Sequence, residues 1–269
     1  MATIHPTAAV EKDVQLDEDV VIGPHCVVDH GVSIGAGTVL DARVVITGAT
    51  KVGRDNHFYP NCVVGCSPQV LGLDPDTKMG GLAIGDRNVI RENVSINVSK
   101  FEGAATVIGN DVLLMIGSHI GHDVIVEDKV VLSNSVQIGG HVKIETGSWF
   151  SGLAASHQFV TIGRWSYIAG LAGLNRDVPP FLIASGHYPQ RVRGVNKRGM
   201  VRAGLTEEQQ ERIMEAYKRL YRQGGALLEH AKELAQEDGL DANVRDILEA
   251  IFRSNEHRFG RYRETHRAH

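Results

Sequence analysis

Three residues recur at intervals of eighteen: His122, Gly140 and Gln158. Groups able to move or hold protons stand around them. Asp123 follows His122, His141 follows Gly140, His157 precedes Gln158, and His119 lies three residues before the first histidine. If eighteen residues make one winding of a coil, these residues share a column. Four imidazoles, a carboxylate, an amide and a bare glycine then gather within about 10 Å, given the spacing of paired strands. An imidazole titrates near neutral pH and is suited to take a proton from a hydroxyl, and an adjacent carboxylate can fix its tautomer and steady the imidazolium. A glycine one winding away can offer an unobstructed backbone N–H to a developing oxyanion. Base and donor together describe acyl transfer, with His122 as the base. A single histidine at an exposed corner more often only hydrogen-bonds a neighbour, and the clustering is what raises this group above that reading.

A period of six supplies the elements that could hold such a column. Stepping by six from Ile4 lands on Val10, Leu16, Ile22, Val28, Ile34, Leu40, Ile46, Val52, Phe58 and Val64. A second run holds Ile84, Ile90 and Ile96 and breaks at Glu102. It resumes in register from Ile108 to Leu174 with the single lapse of Ser156. Neither the 3.6-residue helical period nor simple alternation explains this, whereas a flat-sided coil with one inward aliphatic per side does. Glycines after the apolar residue, such as Gly121, Gly139 and Gly163, are expected to relieve tight corners. The pattern resembles the hexapeptide-repeat family. That resemblance implies eighteen residues per coil, left-handed winding and a mainly β fold, a parallel β-helix over 1–187. Segments near 66–83 and 97–107 interrupt the repeat and are expected to project as loops. Over 188–269 the chain is expected to form a C-terminal helical domain. Thr206 to Gln209 reads as a capping box, Ile213, Ala216, Tyr217, Leu220 and Leu227 follow at helical spacing, and a second helix is expected over Ala242 to Phe252. The basic stretch Arg253 to His269 is expected to fray.

Composition narrows the remaining classes. With 269 residues, 42% apolar content and a formal charge of −4, the chain can bury a large core and has no bulk basic excess for nucleic acid. Three cysteines, Cys26, Cys62 and Cys66, give neither a disulfide framework nor a zinc pair, and they read as small buried filler in a reducing compartment. No Ser or Cys carries a nucleophile motif, so direct transfer is expected over a covalent intermediate. No basic-then-apolar leader and no membrane-length apolar run is present, which points to a cytoplasmic protein. Arg191, Arg193, Lys197, Arg198 and Arg202 form a basic cluster suited to a diphosphate or an acidic carrier protein, or to plain solvation.

The ordered motifs are more specific than the repeat. They are Ile84 to Asn88, Leu114 to Asp123, Gly140-His141-Val142, His157-Gln158-Phe159, Asp177-Val178-Pro179-Pro180 and Gly194-Val195-Asn196. With them the chain resembles, over nearly its whole length, the acyl-[acyl-carrier-protein]:UDP-N-acetylglucosamine O-acyltransferase family of lipid A synthesis. The resemblance implies that His122 deprotonates the sugar 3-hydroxyl, Asp123 orients it and the Gly140 N–H receives the oxyanion. It implies that Gln69, Leu71, His119, His141, His157 and Gln158 contact the acceptor. Asn196 and Arg202 fall near the nucleotide, and Gly170 limits the acyl chain. A (3-hydroxy)acyl chain would come from acyl carrier protein, the chains would form a homotrimer with sites between subunits, and no cofactor or metal is expected.

Departures from the family pattern are concentrated in the acceptor grip. The first loop reads Gln69-Val70-Leu71-Gly72 where the family carries an acid and a base, with Lys78 as a stand-in for the base. Asn97 replaces a histidine and Ala203 replaces an arginine. These changes leave open a different nucleotide sugar, with a 3-amino group as one option, or a catalytically silent trimeric homologue. The related N-acyltransferase normally carries a further N-terminal domain, whereas here the coil starts at residue 4. A trimeric β-helix with zinc between subunits, using His119 and His122, is the competing enzyme class.

Overall fold

The computed structural model describes residues 1–74 and 76–266. The repeat becomes a left-handed parallel β-helix. Most strands are two residues long, because each flat side carries one outward and one inward residue before the chain turns. Thr3–Ile4, Ala9–Val10 and Gln15–Leu16 are the three sides of the first coil. Each pairs in parallel with the same side of the next coil, as Thr3 does with Val21 and Ala9 with Val27. Among the described residues this builds three sheets of eleven, nine and eight strands.

The inward apolar residues Ile22, Leu40, Phe58, Ile90, Leu114, Leu132 and Phe150 are essentially free of solvent. Burying each contributes about 1.5–3 kcal/mol. A second buried column, two residues earlier in each repeat, escaped the sequence reading. It holds Val20, Cys26, Val32, Val44, Cys62, Val94, Val112, Val124 and Val130. Its members are short because they fill corners, and for the same reason it tolerates polar members that bond the coil edges. Asn56 and Asn88 form such a ladder. Asn56 Oδ1 accepts from Asn88 N (2.9 Å), Asn88 Oδ1 accepts from Val112 N (2.8 Å), and Asn88 Nδ2 donates to Gly109 O (2.9 Å). Burial pushes the Cys62 thiol up to about 12, in keeping with a filler role.

The corner glycines serve a purpose other than the expected one. Neither Gly121 nor Gly163 has a positive φ. A Cβ on Gly121 would lie 2.9 Å from Gly140 N, and one on Gly163 would lie 2.4 Å from Pro180 N. They permit one coil to stack closely on the next. The left-handed corner positions fall to other residues, among them Asp123 (φ 59°), His141 (φ 62°) and Phe159 (φ 67°).

Both interruptions leave the rod at the corner after the second side of a coil. Strand pairing runs further into them than the periodicity implied. Val63–Cys66 and Gly81–Ile84 flank the first, Ser95–Asn97 and Ala105–Ile108 flank the second, and Cys66 pairs with Asn97 and Gly81 with Ala105. Residue 75 of the first loop lies outside the described residues.

Beyond the two prolines the first sheet continues. Leu182–Ser185 pairs in parallel with Tyr167–Ile168, and Arg191–Val195 folds back antiparallel on it. Four helices follow: α1 (Lys197–Arg202), α2 (Glu207–Arg222), α3 (Leu227–Ala235) and α4 (Ala242–Asn255). The capping box at Thr206 and Gln209 forms, and Ile213, Ala216, Tyr217 and Leu220 are buried on α2. Leu227 does not belong to that helix. Gly224 and Gly225, at φ 73° and 88°, end it, and Leu227 opens α3 instead. The helices pack on Phe181, Leu182 and Val195, closing the end of the rod.

The segment expected to fray from Arg253 is ordered through 266. Asp177 N donates to Gly260 O (2.7 Å), Tyr262 N donates to Asp177 Oδ2 (3.0 Å), and Arg261 Nη1 donates to Asn175 O (3.0 Å). Residues 267–269 lie outside the described residues.

Candidate active site

The corner after the second side of the coil carries the histidine cluster. Outward residues of that side stack in register, Ser95 on His119, His119 on Gln137 and Gln137 on Ala155. The following turns present His122, Gly140 and Gln158. A cavity of about 290 Å³ is bounded here by Gln69, Asn97, His119, His122, Gly140 and Gln158, among others.

His122 is 9% exposed. Its Nδ1 lies 2.7 Å from Asp123 Oδ2. Since a carboxylate has no proton to give, this bond places the imidazole proton on Nδ1 and leaves a lone pair on Nε2. Burial pushes the Asp123 carboxyl up, but bonds from His122, Ser99 and the Lys100 backbone outweigh it and hold the group below the ordinary carboxylate range. Ser99 Oγ donates to Asp123 Oδ1 (2.5 Å), Lys100 N reaches Oδ2 (3.3 Å), and Asp123 N donates to Thr106 Oγ1 (2.8 Å). The carboxylate is fixed on every side.

The Nε2 of His122 lies against Gly140, where a Cβ would stand 2.7 Å from that nitrogen. The neighbouring peptide is pinned by His141 N donating to His122 O (2.9 Å), while the Gly140 N–H has no acceptor among the described residues. The equivalent N–H of Asn134, at another corner, is also free, so the coil supplies the donor and the absent side chain exposes it.

His141 stacks on Phe159 with ring centroids 4.4 Å apart and meets His122 edge-on at 4.9 Å. Burial lowers its pKa to about 4, against the pull of Asp123 and helped by the positive charges of Arg263 and Lys100. It is therefore neutral at physiological pH and able to accept or donate one hydrogen bond. Burial also lowers His119, whose Nδ1 lies 2.8 Å from Ser95 Oγ. The ligand atoms of His122, Asp123 and His141 lie within 4.8 Å of one another, close enough to converge on a cation. The chemistry of the set fits a proton relay better, because the imidazole and the carboxylate already satisfy each other.

Other expected site residues stand elsewhere in the single chain. His157 is exposed, with Nδ1 3.0 Å from Gln158 O. Leu71 projects fully into solvent. Asn196 and Arg202 border a separate cavity of about 780 Å³ with Trp149 and Tyr167 on the first side of the rod. Both ends of the Asn196 amide are engaged there, Oδ1 capping α1 at Gly199 N (3.1 Å) and Nδ2 donating to Trp165 O (2.8 Å). Arg202 lies over the Trp149 ring. Gly170 sits one corner away from the histidines, where a Cβ would touch Gly152 O at 3.4 Å. Lys78 faces Glu102 of the second loop at 3.7 Å. Asn97 donates to Cys66 O and Ser67 O, holding the start of the first loop, and Ala203 caps α1.

Three contributors were missed: Ser99, Thr106 and Arg263. The second loop lengthens the register from 18 to 24 residues, the separation of Ser99 and Asp123. Stepping back by 24 from Asp123 would have found the serine. No sequence signal points to Arg263, whose Nε donates to His141 O (2.8 Å) across 122 residues.

Comparison with known proteins follows the same geometry. A model of the bacterial transferase hexapeptide, six repeats long, matches residues 105–140, and the second-domain model of UDP-N-acetylglucosamine O-acyltransferase matches 177–260. An acyl-[acyl-carrier-protein]–UDP-N-acetylglucosamine O-acyltransferase of Synechocystis is 39% identical over 193 residues, 72% of this chain and 69% of the relative. The chain belongs to this O-acyltransferase family. Solved structures agree in shape. The UDP-N-acetylglucosamine acyltransferase of Bacteroides fragilis has a TM-score of 0.87 at 30% identity, covering 93% of this chain and 97% of its own. The Moraxella catarrhalis O-acyltransferase has 0.85 at 34%, covering 91% and 95%. No helix among the described residues is long and apolar enough to cross a membrane.

Proposed function

We propose that the protein transfers a (3-hydroxy)acyl chain from acyl carrier protein to the 3-hydroxyl of UDP-N-acetylglucosamine, the first step of lipid A synthesis. His122 Nε2 takes the hydroxyl proton as the oxygen attacks the thioester carbonyl. Asp123 holds the imidazole and balances the imidazolium, and the Gly140 N–H meets the oxyanion. Collapse of the tetrahedral intermediate expels the carrier's thiolate, which takes the proton from His122. The single observation that carries this reading is the bare Cα of Gly140 beside His122 Nε2, which sets the base and the unbonded N–H on the border of one cavity.

Gln69, His119, His141 and Gln158 surround the sugar in this reading, with Leu71 and His157 at the rim. Asn196 and Arg202 would serve the nucleotide from a neighbouring rod, and Gly170 would bound the acyl chain. A homotrimer with sites between subunits fits two features: the separate cavities on different sides of one chain, and Leu153 and Leu171, which are 61% and 72% exposed in left-handed backbone. The rod over 1–187 would then bind and react while 188–269 closes it, in the cytoplasm.

The first loop favours a second reading. Residues 67–73 carry no charge and Leu71 turns outward, so acceptor recognition differs from that of the family, and a 3-amino nucleotide sugar is the alternative acceptor. Purified protein supplied with acyl carriers of several chain lengths and with 3-hydroxy and 3-amino UDP-hexosamines separates the two. An ester product lost on His122→Ala supports the first, and a preferred amide supports the second. Absence of turnover with every UDP-hexosamine identifies a silent homologue and overturns both.

A further inference from the structure

We propose that Arg263 is a positioning residue of the acyl-transfer site, delivered by a C-terminal strap that Asp177 clasps to the rod. The proposal rests on the acyl-transfer reading for what is positioned, and on geometry alone for the strap. Asp177 is the clasp because each of its carboxylate oxygens holds a different part of the chain. Oδ1 accepts from Thr161 N on the rod (2.7 Å), and Oδ2 accepts from Tyr262 N on the strap (3.0 Å). Arg261 adds a bond to Asn175 O and is itself held by Glu264. The next residue but one, Arg263, is thereby aimed at the histidine corner.

There it donates from Nε to His141 O. The same peptide corner is tied from the opposite direction by His141 N donating to His122 O. The turn that presents the Gly140 N–H is thus held between the base's own residue and a guanidinium from the far end of the chain. Misplacement of such a donor by a fraction of an ångström is costly in rate, because the oxyanion must meet it at hydrogen-bond distance. The guanidinium is half-buried and in no direct ion pair among the described residues, with Asp177 and Asp123 acting on it at longer range. The groups facing the His141 ring are Asp123 and His122 from the corner, Lys100 and Phe101 from the second loop, Arg263 from the strap and the Phe159 face. Removing one of its two cations makes the imidazolium easier to form.

The test compares Arg263→Met, Arg263→Gln and Arg263→Lys in the full chain. The readouts are acyl transfer from acyl carrier protein to UDP-N-acetylglucosamine and titration of the His141 ring by NMR with labelled histidine, its signal assigned through His141→Gln. Arg263→Met is expected to lower kcat/KM about tenfold and to move the His141 titration upward, with Arg263→Lys restoring most of both. If the Met variant does not fold, the contrast of Gln, which keeps a donor without charge, with Lys decides in its place. Wild-type kcat/KM in Arg263→Met, or in Arg263→Gln where that replaces it, together with an unmoved His141 titration overturns the proposal, as does a Lys variant no better than the neutral one. If the parent protein acylates no UDP-hexosamine, the functional reading fails separately, and the His141 titration, which needs no substrate, still decides on the strap.

Discussion

Gly140 faces the ring of His122, and a methyl group on its Cα would stand 2.7 Å from Nε2 and 2.8 Å from Cε1. The missing side chain keeps base and amide on one cavity, which the reacting carbonyl is proposed to enter. Gly140→Ala is expected to lower acyl transfer by about a hundredfold or more, because the added methyl must displace the buried His122 ring. A variant with parental rates, measured with acyl carrier protein as donor, would remove Gly140 from the mechanism.

Asp123 is tied to His122, Ser99 and Lys100 N. Asp123→Asn keeps the shape and removes the charge that steadies the imidazolium, so kcat is expected to fall about 10²–10⁴-fold. Ser99→Ala removes one of three bonds to the carboxylate, and its loss in kcat should be smaller. Steady-state kinetics on the two variants check the order, and a larger loss for Ser99→Ala would contradict it.

Asp177 predicts a pH dependence of stability. Burial pushes its pKa up to about 6, against the pull of the Tyr262 and Thr161 amides and of Arg253 and Arg261. Between the unfolded value near 4 and about 6 the native state therefore holds more protons than the unfolded state, and this group's contribution to stability falls as pH rises through that window. In Asp177→Asn the one-proton slope should vanish, with lower stability throughout because Asn cannot accept from both amides. Denaturant midpoints across pH 4–7 are the measurement, and an unchanged slope would refute the assignment.

Asn88 stands in the corner column of Val20, Thr38, Asn56, Val112 and Val130, fully buried and bonded to coils above and below. Asn88→Ala strands the Gly109 carbonyl and the Val112 N–H. The expected cost is about 2–4 kcal/mol, read from equilibrium unfolding. Acyl transfer at low temperature should be retained, since the ladder runs along a corner remote from the histidines.

How much of this was legible follows from which interactions repeat. Ile22, Leu40 and Ile138 recur every six residues because every coil has the same three sides, so the rod and the eighteen-residue partnership of His122 with Gly140 could be read directly. The second buried column escaped because valine, cysteine, threonine and asparagine share size and not polarity. Ser99 was hidden by the change of register across the second loop, and Leu227 was joined to the wrong helix because its spacing fitted while Gly224 and Gly225 were passed over. Arg263 reaches His141 through a single folded contact with no periodic trace at all. Asn196 and Arg202 could be named from motif order, yet one chain does not carry them to the histidines.

Both excursions of the chain leave at the histidine corner, lengthening the coil-to-coil step to 32 and 24 residues where 18 is the rule. The second brings Ser99 and Lys100 N to the Asp123 carboxylate, whereas the first, among the described residues, makes no hydrogen bond to His122, Asp123 or Gly140, so its length and composition can change without loosening the framework that holds the base and the amide. On the proposed placement of Gln69 and Leu71 at the acceptor, sugar preference and acylating power are separable: grafting a different first loop between Cys66 and Gly81 is expected to change the first and spare the second.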